Sequence, residues 1–247
     1  MIHLIAIQNR NDARYLTCCI NSILGQPDIA VVGIDAGSDD NSLAVYEQYR
    51  DWLGVVECPG LSQAAACNQV LRDRWGDPWD TFTWINADDW FSPDWVARHQ
   101  KALEPDDDIL CTDALIFYED QPERGVGRWS LGSHDILERL ALNLNYVCQP
   151  TVMIRRRVFQ QVGLFDESIR FPFDYEFWRR CAQWKLRFHH LPHTTAWRRQ
   201  TGAGHGKKKQ VDGRLGFTDS HTAEIRAEMD AIHERYKDGA QLKINPL

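Results

Sequence analysis

Apolar runs at residues 2–7 (IHLIAI), 29–35 (IAVVGID) and 81–86 (TFTWIN) punctuate the first third of the chain, each bounded by polar turn residues. A continuous apolar run of this length reads as a strand buried on both faces. The segments between them carry helical spacing. Leu16, Cys19, Ile20, Ile23 and Leu24 follow the turn QNRND, and Pro27 closes that helix. The stretch AGSDDNS supplies turn and N-cap chemistry for a helix through Leu43, Tyr46, Tyr49 and Leu53. A strand-like scrap, GVVEC, precedes Pro59-Gly60, and Ser62 caps a small-residue helix to about Trp75. Such alternation builds a largely parallel sheet covered on both faces, where ligands bind beyond the carboxyl ends of the strands. Asp35 and the Asn86–Asp89 cluster stand at two of those ends, so they are expected to converge on one crevice.

The second half is less regular. DILCTDALIFYED and GVGRWSL read as strands around a loop, Ser133 as the cap of a helix through Ile136, Leu137, Leu140 and Ala141, and TVMI (151–154) as a short strand. FDYEFWRRCAQW (173–184) is predicted helical, with Phe177, Cys181 and Trp184 on one face. Beyond His205 come GKKK, a Gly-containing loop, and an amphipathic helix with Ile225, Met229, Ile232 and Tyr236 on one side. That stripe suits a homodimer seam or packing back onto the chain's own sheet.

Charge and cysteine usage exclude several function classes. Lys and Arg number 28 against 35 Asp and Glu, a net charge of −7, which argues against nucleic acid as a partner because affinity there needs a basic face. The seven cysteines include no C-x-x-C spacing, so neither a structural zinc site nor a disulfide framework is indicated, and a cytoplasmic location is expected. The opening run lacks a basic n-region, and no apolar run reaches spanning length, so no transmembrane segment is expected. His189, His190 and His193 lie close together, but Pro192 breaks helical spacing and no H-E-x-x-H is present.

The octet TWINADDW, residues 83–90, sets two adjacent carboxylates at the tip of a buried strand. Like charges there repel unless something positive joins them. A divalent cation is one answer, since Mg²⁺ and Mn²⁺ take oxygen ligands and are held by one or two carboxylates plus phosphate oxygens. A solvated turn, with Asp88 or Asp89 as the N-cap of a helix entered through Ser92-Pro93, is the other.

Five segments resemble family 2 glycosyltransferases. INADD is similar to the family's D-x-D-type signature, HLIAIQNRNDARYLTCCINSILGQ to its first nucleotide-binding segment, GIDAGSDDNS to its second, and GLSQAAACNQVL to its third loop and helix. QPTVMIRRRVFQQVGLFDESIRFPFDYEFWRR is similar to the block carrying its catalytic carboxylate. The resemblance covers roughly residues 2–200. It implies an α/β GT-A (Rossmann-like) fold, a mixed, mostly parallel sheet flanked by helices, with a C-terminal helical tail. Residues 1–205 would form the transferase domain, 1–113 its nucleotide-sugar half and 114–205 its acceptor and catalytic half, followed by a loop and amphipathic helix over 206–247.

The resemblance further implies inverting transfer of a sugar from a nucleoside-diphosphate sugar, with UDP-sugars favoured, to a glycan or other hydroxyl acceptor, assisted by Mn²⁺ or Mg²⁺. Asp88 matches the metal-binding acid. Gln8, Arg10, Asp35, Asn68 and Asn86 match nucleotide-sugar positions, although Asn86 stands where an acid is common and Ala36 where many members carry a second one. Asp174, heading an aromatic helix, matches the general base; an N-cap is the simpler alternative for it. His205 is a second candidate for the metal or diphosphate, and Trp84, Trp90 and Trp178 are candidate acceptor platforms. A catalytically silent nucleotide-sugar-binding or scaffolding module on the same fold is the rival expectation.

Overall fold

The computed structural model describes residues 1–130, 136–141, 147–200, 208–211, 214–217, 220–239 and 241–245. The first half follows the expected rhythm: β1 (His3–Asn9), α1 (Ala13–Leu24), β2 (Ile29–Asp35), α2 (Ser42–Glu47), β3 (Gly54–Glu57), α3 (Gln63–Asp73), β4 (Thr81–Asn86), β5 (Trp90–Phe91) and α4 (Trp95–Ala102). Ser62 caps α3 as expected, its hydroxyl accepting the Ala65 amide at 3.2 Å. The remainder comprises β6 (Ile109–Tyr118), β7 (Val126–Trp129), α5 (Ile136–Ala141), β8 (Met153–Arg155), α6 (Arg156–Val162), α7 (Phe173–Gln183), β9 (Phe188–Gln200), β10 (Lys208–Val211), β11 (Arg214–Phe217) and α8 (Ser220–Tyr236). Ser133, the expected cap of α5, lies outside the described residues.

One mixed sheet runs in the order β3-β2-β1-β4-β8-β6-β9-β5, with β7 paired to β6. Strands β3, β2, β1 and β4 are parallel, β6 and β9 are parallel, and β8 joins the two sets antiparallel. Because β1 is buried on both faces, its side chains alternate between two cores. Leu4 and Ala6 join Trp84, Phe159, Phe165, Phe177 and Trp178; Ile5 and Ile7 join Leu16, Ile20, Tyr46 and Trp95. The chain leaves β1 toward β2 on one side and returns to β4 on the other, so a switch point opens between the tips of β1 and β4.

The second half departs furthest from the sequence reading. The segment containing RFHHLPH is the start of a 13-residue strand, β9. Its register with β6 passes from Thr112↔Leu191 to Asp113↔Thr194, so Pro192 and His193 bulge out of the ladder, which is how a strand tolerates the missing amide. Successive residues face opposite ways, and the histidines part accordingly. His189 Nδ1 meets Asp107 at 2.7 Å and His190 Nε2 meets Asp113 at 2.8 Å. The Gly-containing loop after GKKK holds a two-stranded antiparallel hairpin, β10–β11.

The amphipathic helix packs back on its own chain. Ile232 and Tyr236 of α8 are buried in the core shared with α7. Behind them the terminal segment closes on α6: the Ile244 amide donates to Val162 at 3.1 Å beside Gly163, whose φ of +85° and close approach exclude a Cβ, which would lie 1.8 Å from the Ile244 carbonyl oxygen. Among the described residues no helix is long and apolar enough to cross a membrane.

A histidine pair beneath the sheet makes stability pH-dependent. His3 is fully buried, with Nδ1 on the Thr81 hydroxyl at 2.8 Å, and burial together with the nearby His99 pulls its pKa down to about 3. Burial also lowers His99, to about 4. Both rings are neutral in the folded chain, while the unfolded chain takes up protons below about pH 6.5. Stability is therefore full above pH 6.5 and lost progressively toward the folded values. At pH 5 His3 alone is expected to cost on the order of 2 kcal/mol. Thermal unfolding at pH 7.5 and 5 checks this, with His3→Asn expected to remove roughly half of the acid-induced fall in Tm.

Candidate active site

Strand register aligns the polar tips. Gln8 of β1 lies opposite Asn86 of β4 and opposite Ile34, and Asn9 lies opposite Asp35 of β2. Asp35 is buried and organises the turn after β2: Oδ1 accepts the amides of Gly37 and Ser38 at 3.0 and 2.8 Å, and Oδ2 accepts the Asn9 amide at 3.0 Å. Gln8 Nε2 donates to the Gln63 carbonyl at 2.9 Å and meets Cys67 Sγ at 2.8 Å. Gln8 Oε1 and Asn9 Oδ1 are buried without a hydrogen-bond partner among the described residues. Buried acceptors of that kind cost free energy until a donor arrives. Arg10, just beyond, is exposed.

Across the switch point the loop from Asn86 to Asp89 is held by β9. The antiparallel pairing Trp90↔Trp197 and Phe91↔Ala196 brings Arg198 and Arg199 alongside Asp89 and Asp88. The Arg199 amide donates to Asp89 Oδ1 at 2.8 Å, its Nε to the Asp88 carbonyl at 3.1 Å, and its Nη1 to Glu119 at 2.8 Å. Tyr15 donates to the other Glu119 oxygen, and the Arg199 guanidinium lies over the Tyr15 ring at 4.2 Å and Trp90 at 5.0 Å. Asp89 is almost fully buried; burial and then the Asp88 charge push its carboxyl well above the ordinary range. Burial also raises Asp88, with Glu119 adding to the rise and Arg198 and Arg199 opposing it. Burial and mutual repulsion thus outweigh the relief that Arg198 and Arg199 give the pair.

Asp174 is the second residue of α7, half-buried, with Oδ1 accepting the Tyr175 amide at 2.7 Å. Arg198 connects it to the acids of β4. That guanidinium is accessible to solvent yet hemmed in by protein; burial lowers its pKa, but Cys148, Asp89, Asp174 and Asp88 outweigh this and raise it. Asp88, Asp89 and Asp174 thus each favour the charged form of Arg198. Cys148 faces the same charges, and its burial pushes the thiol up to about 12.

Several candidates are placed elsewhere. Asn68 is fully buried and spent on structure: it pairs with the Phe165 backbone through both amide atoms, at 2.9 and 3.0 Å, and reaches Glu167 at 2.8 Å, tying α3 to the turn after α6. It has no face toward a nucleotide. Trp84 and Trp178 are core residues, stacked on one another at 6.0 Å between centroids and fully buried, so no acceptor reaches them. Trp90 is half-buried and stacks on Trp197 at 5.5 Å with 9° between planes. Glu176 is fully buried against Arg180, bonds at 2.9 and 3.1 Å, and points into the α7–α8 core. His205 lies outside the described residues. Arg198, Arg199, Glu119 and Tyr15, which gather around the Asn86–Asp89 loop, were not among the sequence candidates.

Among the described residues no group of three or more His, Cys, Asp or Glu could hold a metal ion alone. The donors at the β4 tip are nonetheless all oxygen, and a single carboxylate completed by phosphate oxygens suits Mg²⁺ or Mn²⁺. A groove of about 680 Å³ at the amino ends of β1 and β2 does not reach these acids, and its Arg50 and Arg74 are paired with Glu47 and Asp77.

A mixed, mostly parallel sheet with acids at its switch point defines the GT-A glycosyltransferase architecture. The family model described as glycosyl transferase family 2 matches residues 4–163, and the chain belongs to that family. An uncharacterised glycosyltransferase of Rickettsia typhi is 27% identical over 187 residues, 70% of this chain and 56% of the relative. One from a Nostoc species is 32% identical over 109 residues, 42% of this chain and 33% of that one. The chain spans little more than half the length of the Rickettsia relative. Among solved structures, S. aureus TarS 1–349 in complex with UDP-GlcNAc superposes with a TM-score of 0.69 at 17% identity, covering 99% of this chain and 76% of TarS 1–349. The Pyrobaculum calidifontis mannosyltransferase PcManGT, in complex with GDP-Man and Mn²⁺, gives 0.59 at 14%, covering 79% and 56%. At these identities the two structures speak for the fold.

Proposed function

We propose that this chain transfers a sugar from a nucleoside-diphosphate sugar to an acceptor hydroxyl with inversion, Asp174 acting as general base and Asp88 holding a divalent cation. The observation that carries the reading is the meeting of the β4 tip with β9, which sets Arg199 on Asp88 and Asp89 across the switch point from Gln8 and Asn9. Family membership and fold neighbours complexed with UDP-GlcNAc and with GDP-Man and Mn²⁺ support it.

In this reading the base and ribose lie over the tips of β1 and β2, where the orphaned oxygens of Gln8 and Asn9 accept hydrogen bonds and Asp35 holds the turn that receives them. The diphosphate extends toward the β4 tip. Asn86 contributes an amide there without a negative charge, and Arg10 faces solvent beside the nucleotide path. Asp88 would hold Mg²⁺ or Mn²⁺ together with the donor's own phosphate oxygens, and the bound cation would supply Lewis-acid neutralisation of the departing diphosphate. Arg198 adds a fixed positive charge to the same volume, stabilising negative charge as it develops. Asp174 takes the acceptor's proton as its oxygen bonds to the anomeric carbon from the face opposite the diphosphate, whose bond to that carbon breaks, and this back-side displacement gives inversion. Asp89 and Arg199 act by holding Asp88 in place. Trp90 borders this region as the remaining acceptor candidate, and His205 stays a candidate for the diphosphate.

The test is a thermal-shift series with UDP-, GDP-, dTDP- and CDP-sugars, each with and without Mn²⁺. One nucleotide class is expected to raise Tm with the cation present, by about 2.7 kcal/mol of stabilisation at a ligand concentration 100 times Kd. No shift with any of them overturns the reading. Binding without turnover toward a broad acceptor panel selects the silent-module rival instead.

A further inference from the structure

We infer that the C-terminal helix α8 is a clamp that positions the Asp174 carboxylate, with Glu228 as its principal positioning residue. The inference rests on the reading of Asp174 as the base.

Helix α7 begins without a cap of its own. The residue before it is Pro172, which offers no side-chain cap, and Asp174 follows two residues later. Asp174 Oδ1 accepts the Tyr175 amide of the same first turn, so the position of the carboxylate follows that of the backbone. The restraint comes from α8 instead. Glu228 Oε1 accepts the Arg170 amide at 2.9 Å and Oε2 the Phe171 amide at 3.0 Å, a two-point, charge-assisted grip on the strip of chain that leads into Pro172.

Further along α8 the same helix takes hold of the next residues of α7. His233 Nε2 meets the Tyr175 hydroxyl at 3.1 Å, and the Tyr236 hydroxyl donates to Glu176, which is already locked to Arg180. Arg235 reaches Asp166 at 2.6 Å, fixing α8 to the turn after α6. Residues 174, 175 and 176 and the two residues before Pro172 are thus tied to, or flanked by ties to, one helix. Buried Ile232 and Tyr236 supply the apolar contact that keeps it seated. The family model ends at residue 163, before α7, so the clamp belongs to a part of the chain the family match does not cover. A general base works only within hydrogen-bond reach of the proton it takes, and a displacement of about 1 Å costs on the order of 100-fold in rate. Holding the entry to α7 is therefore holding the chemistry.

Glu228→Gln tests the clamp in the full chain. The amide keeps the size but replaces one acceptor with a donor aimed at a backbone N–H. The expected result is a kcat lower by roughly ten- to a hundredfold with donor KM and donor-induced thermal shift unchanged. Glu234→Gln, at the exposed Glu234–Lys237 pair of the same helix, is expected to match wild type. Tyr236→Phe keeps the ring and removes only the hydroxyl, and it should lower kcat in the same direction if Glu228→Gln yields no folded protein. In an Asp174→Asn background neither change should slow the residual rate further. The inference is overturned if Asp174→Asn is inactive while both α8 variants keep wild-type kcat, if donor KM rises at constant kcat, or if the loss persists undiminished in the Asp174→Asn background. Full transfer by Asp174→Asn alone would instead remove the base reading on which the clamp depends.

Discussion

Asp174→Asn is expected to bind the donor as wild type does and to transfer roughly 10²- to 10⁴-fold more slowly, the contribution of a positioned general base. The change is isosteric and half-exposed, and the asparagine oxygen still accepts the Tyr175 amide, so the start of α7 is preserved. What disappears is the negative charge. Its loss from a helix N-terminus costs about 0.3–1 kcal/mol of stability, whereas the expected rate loss corresponds to about 3–5 kcal/mol of transition-state stabilisation. The two readings of this residue are separated by that difference. A cap alone gives a slightly lower Tm and normal turnover; a base gives near-normal Tm, a normal donor-induced shift and almost no transfer. Initial rates with saturating donor, beside the thermal shift of the same preparation, decide between them, and full transfer activity would refute the assignment.

Strands β1, β2 and β4 were readable because a strand buried on both faces has to be apolar throughout, and the helices between them because one face has to be. The same logic limits what a motif reveals about a side chain's partner. Asp35 was correctly placed at a strand tip, but its oxygens are spent on Gly37, Ser38 and Asn9, so any nucleotide contact it makes is secondary to shaping the turn. Asn68 occupies its expected helix and is fully buried there, bonded to the Phe165 backbone in the turn after α6. Trp84 lies inside a run whose neighbours bury both faces, which alone removes it from any acceptor surface. Arg199 and Glu119 were out of reach for a different reason. Arg199 meets Asp88 and Asp89, and Glu119 meets Arg199, only because β9 pairs with both β5 and β6, contacts about 80 to 110 residues apart in the chain, and no local pattern encodes which edges meet. The strand that carries Arg199 was itself obscured by paired histidines and Pro192, whose polar and amide-lacking character fits a bulge only once the partner strand is known.

Removing Asp88 is expected to move stability and function in opposite directions. In the wild-type chain, burial raises the carboxyls of both Asp88 and Asp89, and the Asp88 charge raises Asp89 further. A carboxyl whose pKa is higher folded than unfolded disfavours the fold as pH rises, so at pH 7.5 the pair is a standing cost to the cation-free protein. Asp88→Ala removes one charge and one source of the other's strain, while the backbone carbonyl that binds Arg199 Nε remains. Its Tm without ligand should therefore equal or exceed that of wild type, the sign expected when a site trades stability for activity. Donor binding goes the other way. If Asp88 holds the cation, the Mn²⁺-dependent part of the donor-induced thermal shift should vanish, and transfer should fall by at least roughly 10²-fold, since Lewis-acid stabilisation of leaving diphosphate amounts to several kcal/mol. A purely structural Asp88, serving as a turn or cap, predicts the reverse pattern: a lower Tm with cation dependence retained. Melting curves of the two proteins with and without donor and Mn²⁺ distinguish these outcomes in one plate, because only a cation-holding carboxylate raises the apo Tm and abolishes the cation response through the same substitution.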